Sequence, residues 1–272
     1  MPYTIDLSGK VAVVTGGSGV LGMALCQGFA QAGAAVIVVS RAADKAQASA
    51  EALTAAGGRA VGAVADVTDT EALEALAHTV LAAFDRVDIL VNCAGGNRPD
   101  ATVGPEQAFF DIPRAALSNV FDLNLMGTLL PSQVFGRAMA RQGTGVIVNI
   151  SSMAAVRPLT RVVAYGAAKA AVDNFTQWLA VYMAREHSPA IRVNAIAPGF
   201  FLTEQNRRLL TDATSGGLTE RGQHIVAHTP LGRFGAPEDL IGTALWLASD
   251  AARFVTGIVV PVDGGFSAYG GV

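Results

Sequence analysis

Short apolar segments that alternate with longer segments of helical spacing constrain the fold of this chain more than any other feature. The short segments are rich in β-branched residues and apolar throughout, which is typical of strands buried on both faces of a sheet. They span residues 10–16, 35–40, 59–65, 87–92, 145–151, 191–197 and 257–263. Strands that alternate with helices form parallel sheets with right-handed crossovers. The sequence therefore predicts an α/β fold with a doubly wound, seven-stranded parallel sheet and helices on both faces.

The chain is predicted to form one domain over residues 1–272. No change in composition marks a boundary, and single α/β domains reach ~250 residues. One long irregular stretch covers about 199–236. We expect it to be a lid or substrate loop, because irregular segments of that length in compact enzymes usually bind ligands. Thr68 and Glu71 have the spacing of a capping box, which predicts the start of the third helix.

Charge and composition exclude several classes of partner. A formal net charge of −3 gives no attractive field for nucleic acid or an anionic membrane. Cys26 and Cys93 are too few for a disulfide framework. No apolar run approaches the ~18 residues of a membrane span, and the first ten residues lack the basic and apolar regions of a signal peptide. We therefore expect a cytoplasmic protein with no nucleic-acid or membrane partner.

A glycine-rich stretch, "VTGGSGVLG", follows the first predicted strand and opens a helix. In that context glycines let backbone N–H groups approach a pyrophosphate, which the helix N-terminus also attracts. We interpret the stretch as the dinucleotide-binding loop of a Rossmann fold, against the alternative of a purely structural turn. The predicted cofactor contacts in it are Gly16, Gly17, Ser18, Gly19, Val20, Leu21 and Gly22.

The end of the second strand bears on the choice of dinucleotide. A dinucleotide site usually has an acid there to hold the ribose 2′-OH, but this chain has Ser40 and Arg41. An arginine beside a small hydroxyl suits a 2′-phosphate, so NADP(H) is favoured and NAD(H) stays open. The competing interpretation is that Arg41 is a solvated residue that stacks on the adenine. Asp66 could accept from the adenine amino group, or could belong to the first turn of the next helix.

A tyrosine and a lysine form the second group of candidate residues. Tyr165 and Lys169 are four apart on a predicted helix and therefore share one face. A nearby ammonium is expected to lower the phenol pKa and make Tyr165 a general acid or base. Ser152 ends the fifth predicted strand, at the edge of a parallel sheet where ligands bind. His224 and His228 share a helical spacing but have no acidic or cysteine partner at a fitting distance, so no metal is predicted.

From Lys10 to about Gly265 the chain resembles the short-chain dehydrogenase/reductase family. "TGGSGVLG" stands where the family has Thr-Gly-x-x-x-Gly-x-Gly, with Val20 at the middle glycine. "NCAGG", "DLNLMG", "YGAAK" and "APGFFLT" match further motifs. The resemblance implies an NAD(P)-dependent oxidoreductase, usually a dimer or tetramer, with catalytic residues Asn124, Ser152, Tyr165 and Lys169. It implies cofactor contacts at Ser40, Arg41, Asp66, Val67, Asn92, Ala94, Gly95, Tyr165, Lys169, Pro198, Gly199, Phe200 and Thr203.

In that resemblance each catalytic residue has a role. Tyr165 passes a proton to or from the substrate oxygen, and Lys169 lowers its pKa and holds the nicotinamide ribose. Ser152 hydrogen-bonds the reacting oxygen. Asn124 holds a water that links Lys169 to solvent, and Thr203 meets the nicotinamide carboxamide.

The substrate is predicted from polar residues after the strands and from a closer resemblance. "ISSMAAVRPLT", "NFTQWLAVY" and "VDGGFSAYGG" resemble the D-mannonate oxidoreductase branch of the family. Arginine forks suit a carboxylate, although each arginine could equally form a surface salt bridge. The expected reaction interconverts D-fructuronate and D-mannonate; a 3-oxoacyl thioester reductase and a non-catalytic nucleotide sensor are the alternatives. The predicted substrate residues are Asn97, Arg98, Ser152, Arg157 and Arg207.

Overall fold

The computed structural model describes residues 4–203, 207, 210–212 and 216–271. Its strands form one parallel sheet in the order β3-β2-β1-β4-β5-β6-β7, which confirms the predicted seven-stranded α/β architecture. The strands are β1 Val11–Thr15, β2 Ala35–Ser40, β3 Arg59–Val64, β4 Ile89–Asn92, β5 Gly145–Ile150, β6 Ile191–Pro198 and β7 Val259–Val262.

Helices connect the strands in the described part of the chain. They are α1 Val20–Gln31, α2 Ala43–Ala55, α3 Thr70–Phe84, α4 Arg114–Phe121, α5 Gly127–Gln142, α6 Val163–Glu186, α7 Glu220–Ala227 and α8 Ile241–Ala248. A π-helical turn, Asp122–Met126, joins α4 to α5. No helix among the described residues combines the length and apolar character that crossing a membrane requires.

The start of α3 differs from the prediction. Asp69, not Thr68, is the N-cap, and its carboxylate accepts a hydrogen bond from the backbone N–H of Ala72 at 3.1 Å. The Thr68 hydroxyl is occupied elsewhere, because it donates to Asp66 at 2.7 Å. The predicted capping box from Thr68 to Glu71 is therefore wrong by one residue at its first position.

The five inner strands of the sheet are buried on both faces, whereas the edge strands β3 and β7 are partly exposed. Alternate residues of β2 enter different cores, because successive side chains of a strand point to opposite faces. Val36 and Val38 pack on the α1 and α8 side, while Ile37 and Val39 pack on the side of α3, α5 and α6. This two-sided burial is why the strands are apolar throughout and do not alternate with polar residues.

The order of the strands places a ligand crevice between β1 and β4, where the chain switches from one half of the sheet to the other. The loops after these two strands are held together by Thr15. Its hydroxyl accepts hydrogen bonds from the backbone N–H groups of Cys93 and Ala94 at 3.1 and 3.3 Å. The end of β1, from which the glycine loop starts, is therefore joined to the turn after β4.

Candidate active site

The glycine loop leaves room for a ligand backbone contact. Gly16 adopts φ +65°, and a Cβ there would lie 2.8 Å from the Cα of Ala94. A Cβ on Gly22 would overlap the carbonyl oxygen of Gly16. Helix α1 begins at Val20 after Gly19, which offers no side chain to cap the first N–H groups. These groups and the close glycine packing fit the pyrophosphate of a dinucleotide.

Val20 stands where the family pattern has its middle glycine, and the position of this residue leaves room for a side chain. This residue is the first of α1, and its side chain is 38% exposed. The tight packing falls instead on Gly16 and Gly22, where a side chain would meet backbone atoms. The valine therefore leaves the loop geometry intact.

Hydroxyl groups and an arginine gather at the end of β2. Ser18 donates to the hydroxyl of Ser40 at 2.9 Å, so the glycine loop and β2 are tied together. Arg41 is exposed and lies 3.8 Å from the carboxylate of Asp66. Burial opposes ionisation of Asp66, but hydrogen bonds from Thr68 and the charge of Arg41 lower its pKa below the usual value. The end of β2 thus presents hydroxyl groups and a guanidinium. A site that binds a ribose 2′-hydroxyl group has an acid in this place.

Ser152, Tyr165 and Lys169 come together at the carboxyl end of β5. The Ser152 hydroxyl accepts from the backbone N–H of Ala154 at 3.1 Å. Lys169 is 3% exposed, and its Nζ donates to the carbonyl oxygen of Ile150 at 2.7 Å. The same Nζ lies 5.8 Å from the centroid of the Tyr165 ring. The spacing of four residues on α6 therefore places the lysine beside the tyrosine, as the sequence predicts.

Burial sets the protonation of this group. Burial raises the pKa of Tyr165 above its usual value, although hydrogen bonding with Ser152 opposes the rise. Burial also lowers the pKa of Lys169 to about 8, against the opposing influence of Cys93 and Asp173. The expected lowering of the Tyr165 pKa is thus wrong, because burial of the phenol is the largest influence on it and raises the pKa. Tyr165 keeps its proton at neutral pH and is suited to donate it.

Asn124 clamps the turn after β4. It lies in the π-helical turn between α4 and α5, a kind of irregularity that is frequent at functional sites. Its Nδ2 donates to the carbonyl oxygens of Gly96 and Val120 at 2.7 and 2.8 Å, and its Oδ1 accepts from the N–H of Gly96 at 3.0 Å. A Cβ on Gly95 would lie 2.8 Å from this Oδ1 and 3.2 Å from Lys169 Nζ. The turn at Gly95 therefore lies close to both Asn124 and Lys169.

The side chain of Asn92 is not placed to contact a cofactor, contrary to the prediction. The side chain is buried and donates to Ser132 at 2.9 Å and to Asn149 at 2.8 Å. It braces β4 against β5 and α5. The sequence gives no indication of this brace, since its three members lie on separate elements.

The predicted substrate residues are largely engaged by their neighbours. Arg98 forms a two-point ion pair with Asp100 at 3.0 and 3.2 Å. The exposed Arg157 donates to the carbonyl oxygen of Ser267 at 2.9 Å and so ties the loop after β5 to the C-terminal segment. Asn97 donates to Thr102 at 2.7 Å, while its buried Oδ1 has no hydrogen-bond partner among the described residues.

The described part of the segment after β6 packs against the segment after β7. A Cβ on Gly199 would lie 2.7 Å from Asp263, and Phe200 packs edge-on against Phe266 at 5.2 Å. Thr203 accepts a backbone hydrogen bond from Arg207, whose side chain is exposed. The rest of the predicted lid includes residues 204–206, 208–209 and 213–215, which lie outside the described residues.

The parallel sheet has a glycine loop at the point where the strand order reverses, and a serine, a tyrosine and a lysine at the end of the next strand. Together these features define an NAD(P)-dependent oxidoreductase. A family model described as enoyl-(acyl carrier protein) reductase matches residues 18–267. The chain belongs to the short-chain dehydrogenase/reductase family.

Individual relatives cover the whole chain. An oxidoreductase of Bacillus subtilis, UxuB, is 48% identical over 100% of both chains. The crystal structure of a provisionally named D-mannonate oxidoreductase of Haemophilus influenzae, with bound NAD, is 40% identical, covers 98% of both chains and has a TM-score of 0.90.

A second structure, of a provisionally named gluconate 5-dehydrogenase of Beutenbergia cavernae, holds NADP at low occupancy. It is 37% identical over 98% of this chain and 100% of the other, with a TM-score of 0.86. Proteins similar to this chain therefore hold NAD in one case and NADP in another.

Proposed function

We propose that this oxidoreductase interconverts D-fructuronate and D-mannonate, or a closely related pair of a keto-acid and a hydroxy acid. One observation carries the proposal. The loop after β5 carries arginines, and it lies beside the proton-donating group of Ser152, Tyr165 and Lys169. A reductase of apolar ketones would have aliphatic residues at that loop, whereas guanidinium groups suit a carboxylate. The similarity to the Haemophilus influenzae protein supports the same substrate class.

The chain supplies position and a proton in this reaction. Ser152 donates a hydrogen bond to the ketone oxygen and stabilises the negative charge that develops there. Tyr165, which burial keeps protonated, transfers its proton to that oxygen. Lys169 stays fixed by the carbonyl of Ile150, where its charge favours the tyrosinate that remains. The hydride chemistry is that of the nicotinamide dinucleotide for which the glycine loop fits.

Further residues of the chain complete the proposed site. The main-chain carbonyl of Asn124 accepts from the Thr128 hydroxyl at 2.9 Å, and we propose that Asn124 also holds the water that connects Lys169 to solvent. We propose that the buried Oδ1 of Asn97, which has no hydrogen-bond partner among the described residues, accepts from a substrate hydroxyl. Residues proposed to hold the cofactor are the glycine loop, Ser40, Arg41, Asp66, Val67, Ala94, Gly95, Pro198, Gly199, Phe200 and Thr203.

NADP(H) is the favoured cofactor in this proposal, and Arg41 provides the test. Arg41→Ala should lower the ratio of kcat/KM for NADPH to that for NADH by about tenfold, the lower end for a charge-assisted hydrogen bond because the side chain is exposed. Arg137→Ala is the matched control, since Arg137 is similarly exposed and pairs with Glu74 at 3.5 Å. A wild-type preference for NADH that Arg41→Ala leaves unchanged would contradict the assignment.

The substrate is tested by direct comparison of ketones. NAD(P)H oxidation should be fastest with D-fructuronate among D-fructuronate, D-tagaturonate, D-fructose and an acetoacetyl thioester. The neutral ketose separates recognition of the acid from recognition of the sugar. If the thioester is the best substrate, the acyl-reductase alternative replaces this proposal.

We also propose that the enzyme is a cytoplasmic dimer or tetramer. Support comes from an apolar stripe on α6, where Trp178 and Val181 are 58% and 60% exposed. The Trp178 ring stacks on Tyr182 at 5.1 Å between centroids. Contiguous exposed aromatic surface of this kind marks protein–protein contacts.

A further inference from the structure

The ammonium group of Lys169 is buried and forms no ion pair with a described residue. Lys169 is 3% exposed, and its Nζ donates to a neutral group, the carbonyl oxygen of Ile150, at 2.7 Å. The ion pairs in the described part of the chain involve other cations. Burial of a charge costs free energy unless a nearby group of opposite sign offsets it. A carboxylate close to this lysine would therefore stabilise its charged form.

Asp173 lies one helical turn after Lys169 on the same face of α6. Residues three and four apart on a helix are neighbours, so Lys169, Asp173 and Thr176 form a continuous row. Lys169 and Thr176 are both buried. The Oδ1 atom of Asp173, between them in the row, is buried too. One oxygen of this carboxylate is thus inside the protein, on the side of the helix that carries the lysine.

The contacts between α6 and β5 indicate what Asp173 faces. At one end of the row, Nδ2 of Asn149 donates to the Thr176 hydroxyl at 2.8 Å, and at the other end Lys169 reaches the backbone of β5. Ser151 follows Asn149 by two residues, so its side chain points to the same face of the sheet. Its hydroxyl is buried and has no hydrogen-bond partner among the described residues, which is equally true of Asp173 Oδ1. This register places the Ser151 hydroxyl opposite Asp173.

Asp173 and Lys169 influence each other's charge. Burial raises the pKa of Asp173, whereas the Ser151 hydroxyl and the positive charge of Lys169 lower it. Burial lowers the pKa of Lys169 to about 8, and Cys93 and Asp173 oppose that fall. Cys93, in the turn after β4, is a neutral thiol at neutral pH, because burial raises its pKa to about 11. Asp173 is therefore the group that supplies negative charge to Lys169 at neutral pH.

The other titratable and charged groups near this part of α6 do not take that role. Tyr165 lies 5.8 Å from Lys169 Nζ at its ring centroid, and burial keeps it protonated. The charged residues on the elements that pack against α6 are Arg114 on α4, Asp122 in the π-helical turn and Arg192 on β6. Arg114 and Asp122 are exposed. The Arg192 guanidinium donates to carbonyl oxygens at the end of α8.

We propose that Asp173 is a positioning residue for proton transfer, whose carboxylate keeps the ammonium group of Lys169 charged beside Tyr165. The inference rests on the proposed roles of Tyr165 and Lys169 in the reduction of a ketone. A charged lysine stabilises the tyrosinate that remains after the proton has moved. Asp173 contacts neither the substrate nor the dinucleotide in this proposal and acts through the lysine alone.

Lysine NMR tests the pairing without any substrate. The chain has three lysines, Lys10, Lys45 and Lys169, so protein labelled with ¹³C at the lysine Cε atoms gives few signals to assign. Lys169→Arg identifies the Lys169 signal by its loss. In Asp173→Asn the Lys169 signal should titrate at lower pH than in wild type, by about 0.5 unit or more, because a negative charge at close range has been removed. Lys10 and Lys45 should titrate as before.

The pH dependence of turnover is the second measurement. With the best ketone and saturating NADPH, kcat should fall toward basic pH as Lys169 loses its proton. In Asp173→Asn this fall should move to lower pH in step with the NMR titration. Glu186→Gln is the matched control, because it removes an exposed carboxylate from the last turn of the same helix, roughly 25 Å from Lys169. It should change neither the titration nor the pH profile.

Ser151→Ala is the second variant, and it decides the matter if Asp173→Asn does not fold. Loss of the hydroxyl that favours the ionised carboxylate should move the Lys169 titration in the same direction by a smaller amount. An unchanged Lys169 titration in the variant that folds, or an equal shift in Glu186→Gln, would overturn the role of Asp173. If the titration shifts but the pH profile of kcat does not, Asp173 still controls the charge of the lysine, and the proposed role of Lys169 in turnover fails.

Discussion

Tyr165→Phe should lower kcat by ~10²–10⁴-fold, the range for loss of a general acid, while the affinity for NADPH stays nearly unchanged. The substitution removes one oxygen and leaves the ring that packs beside Ala164 and the α4 side of the crevice. Lys169 keeps its hydrogen bond to Ile150, so its position does not depend on the phenol. The measurement is kcat with the best ketone of the substrate comparison, together with the dissociation constant for NADPH from its fluorescence.

Tyr182→Phe is the matched control for this prediction. Tyr182 lies on the same helix, but its side chain is exposed and stacks on Trp178 away from Ser152. Its phenol should contribute nothing to proton transfer, so kcat should stay at the wild-type value. Activity of Tyr165→Phe within about tenfold of wild type would mean that another group donates the proton.

The fold was largely predictable because it depends on patterns that are local in the sequence. Each predicted apolar run forms a strand, and the five inner strands are buried on both faces of the parallel sheet, which selects β-branched apolar residues. The error at the start of α3 has a local cause too. Thr68 and Asp69 are both good N-cap residues, and the carboxylate of Asp66 captures the Thr68 hydroxyl and leaves the cap to Asp69.

The candidate site was predictable in its members and less so in its electrostatics. Tyr165 and Lys169 share a helix face by spacing alone, and Ser152 reaches them because β5 ends at the same edge of the sheet. The direction of the Tyr165 pKa depends on how much water the folded chain removes, which no spacing encodes. The sequence therefore predicts which side chains meet at this edge of the sheet, but not the direction in which burial shifts the pKa of Tyr165.

The arginines that were predicted to bind the substrate show the same limit of prediction from sequence. Arg98 is followed two residues later by Asp100, so its ion pair could have been anticipated from the sequence. The hydrogen bond of Arg157 to the carbonyl oxygen of Ser267 could not, because the two residues are 110 positions apart in the sequence. The partner of a guanidinium group is a tertiary property whenever that partner lies on a distant element of the fold.

Gly22→Ala should destabilise the enzyme by about 3 kcal/mol, because the added methyl group meets backbone atoms that cannot rotate away. The new Cβ would overlap the carbonyl oxygen of Gly16 and lie 2.9 Å from the Cα of Gly17. Separation of α1 from the loop would also displace the N–H groups proposed to bind the pyrophosphate. The free energy of unfolding in urea and the dissociation constant for NADPH measure the two effects.

The same change from glycine to alanine should have the opposite effect on stability at Gly242. Gly242 lies in α8, and no atom of its surroundings comes within 4 Å of the place that the added methyl group would take. Alanine there should stabilise the helix by up to about 1 kcal/mol and leave NADPH affinity unchanged. Helix propensity favours alanine at Gly22 as well, since Gly22 lies within α1. The difference in sign between the two variants therefore isolates the steric requirement of the loop. If Gly22→Ala is as stable as wild type and binds NADPH equally well, close packing at Gly22 does not shape the cofactor site.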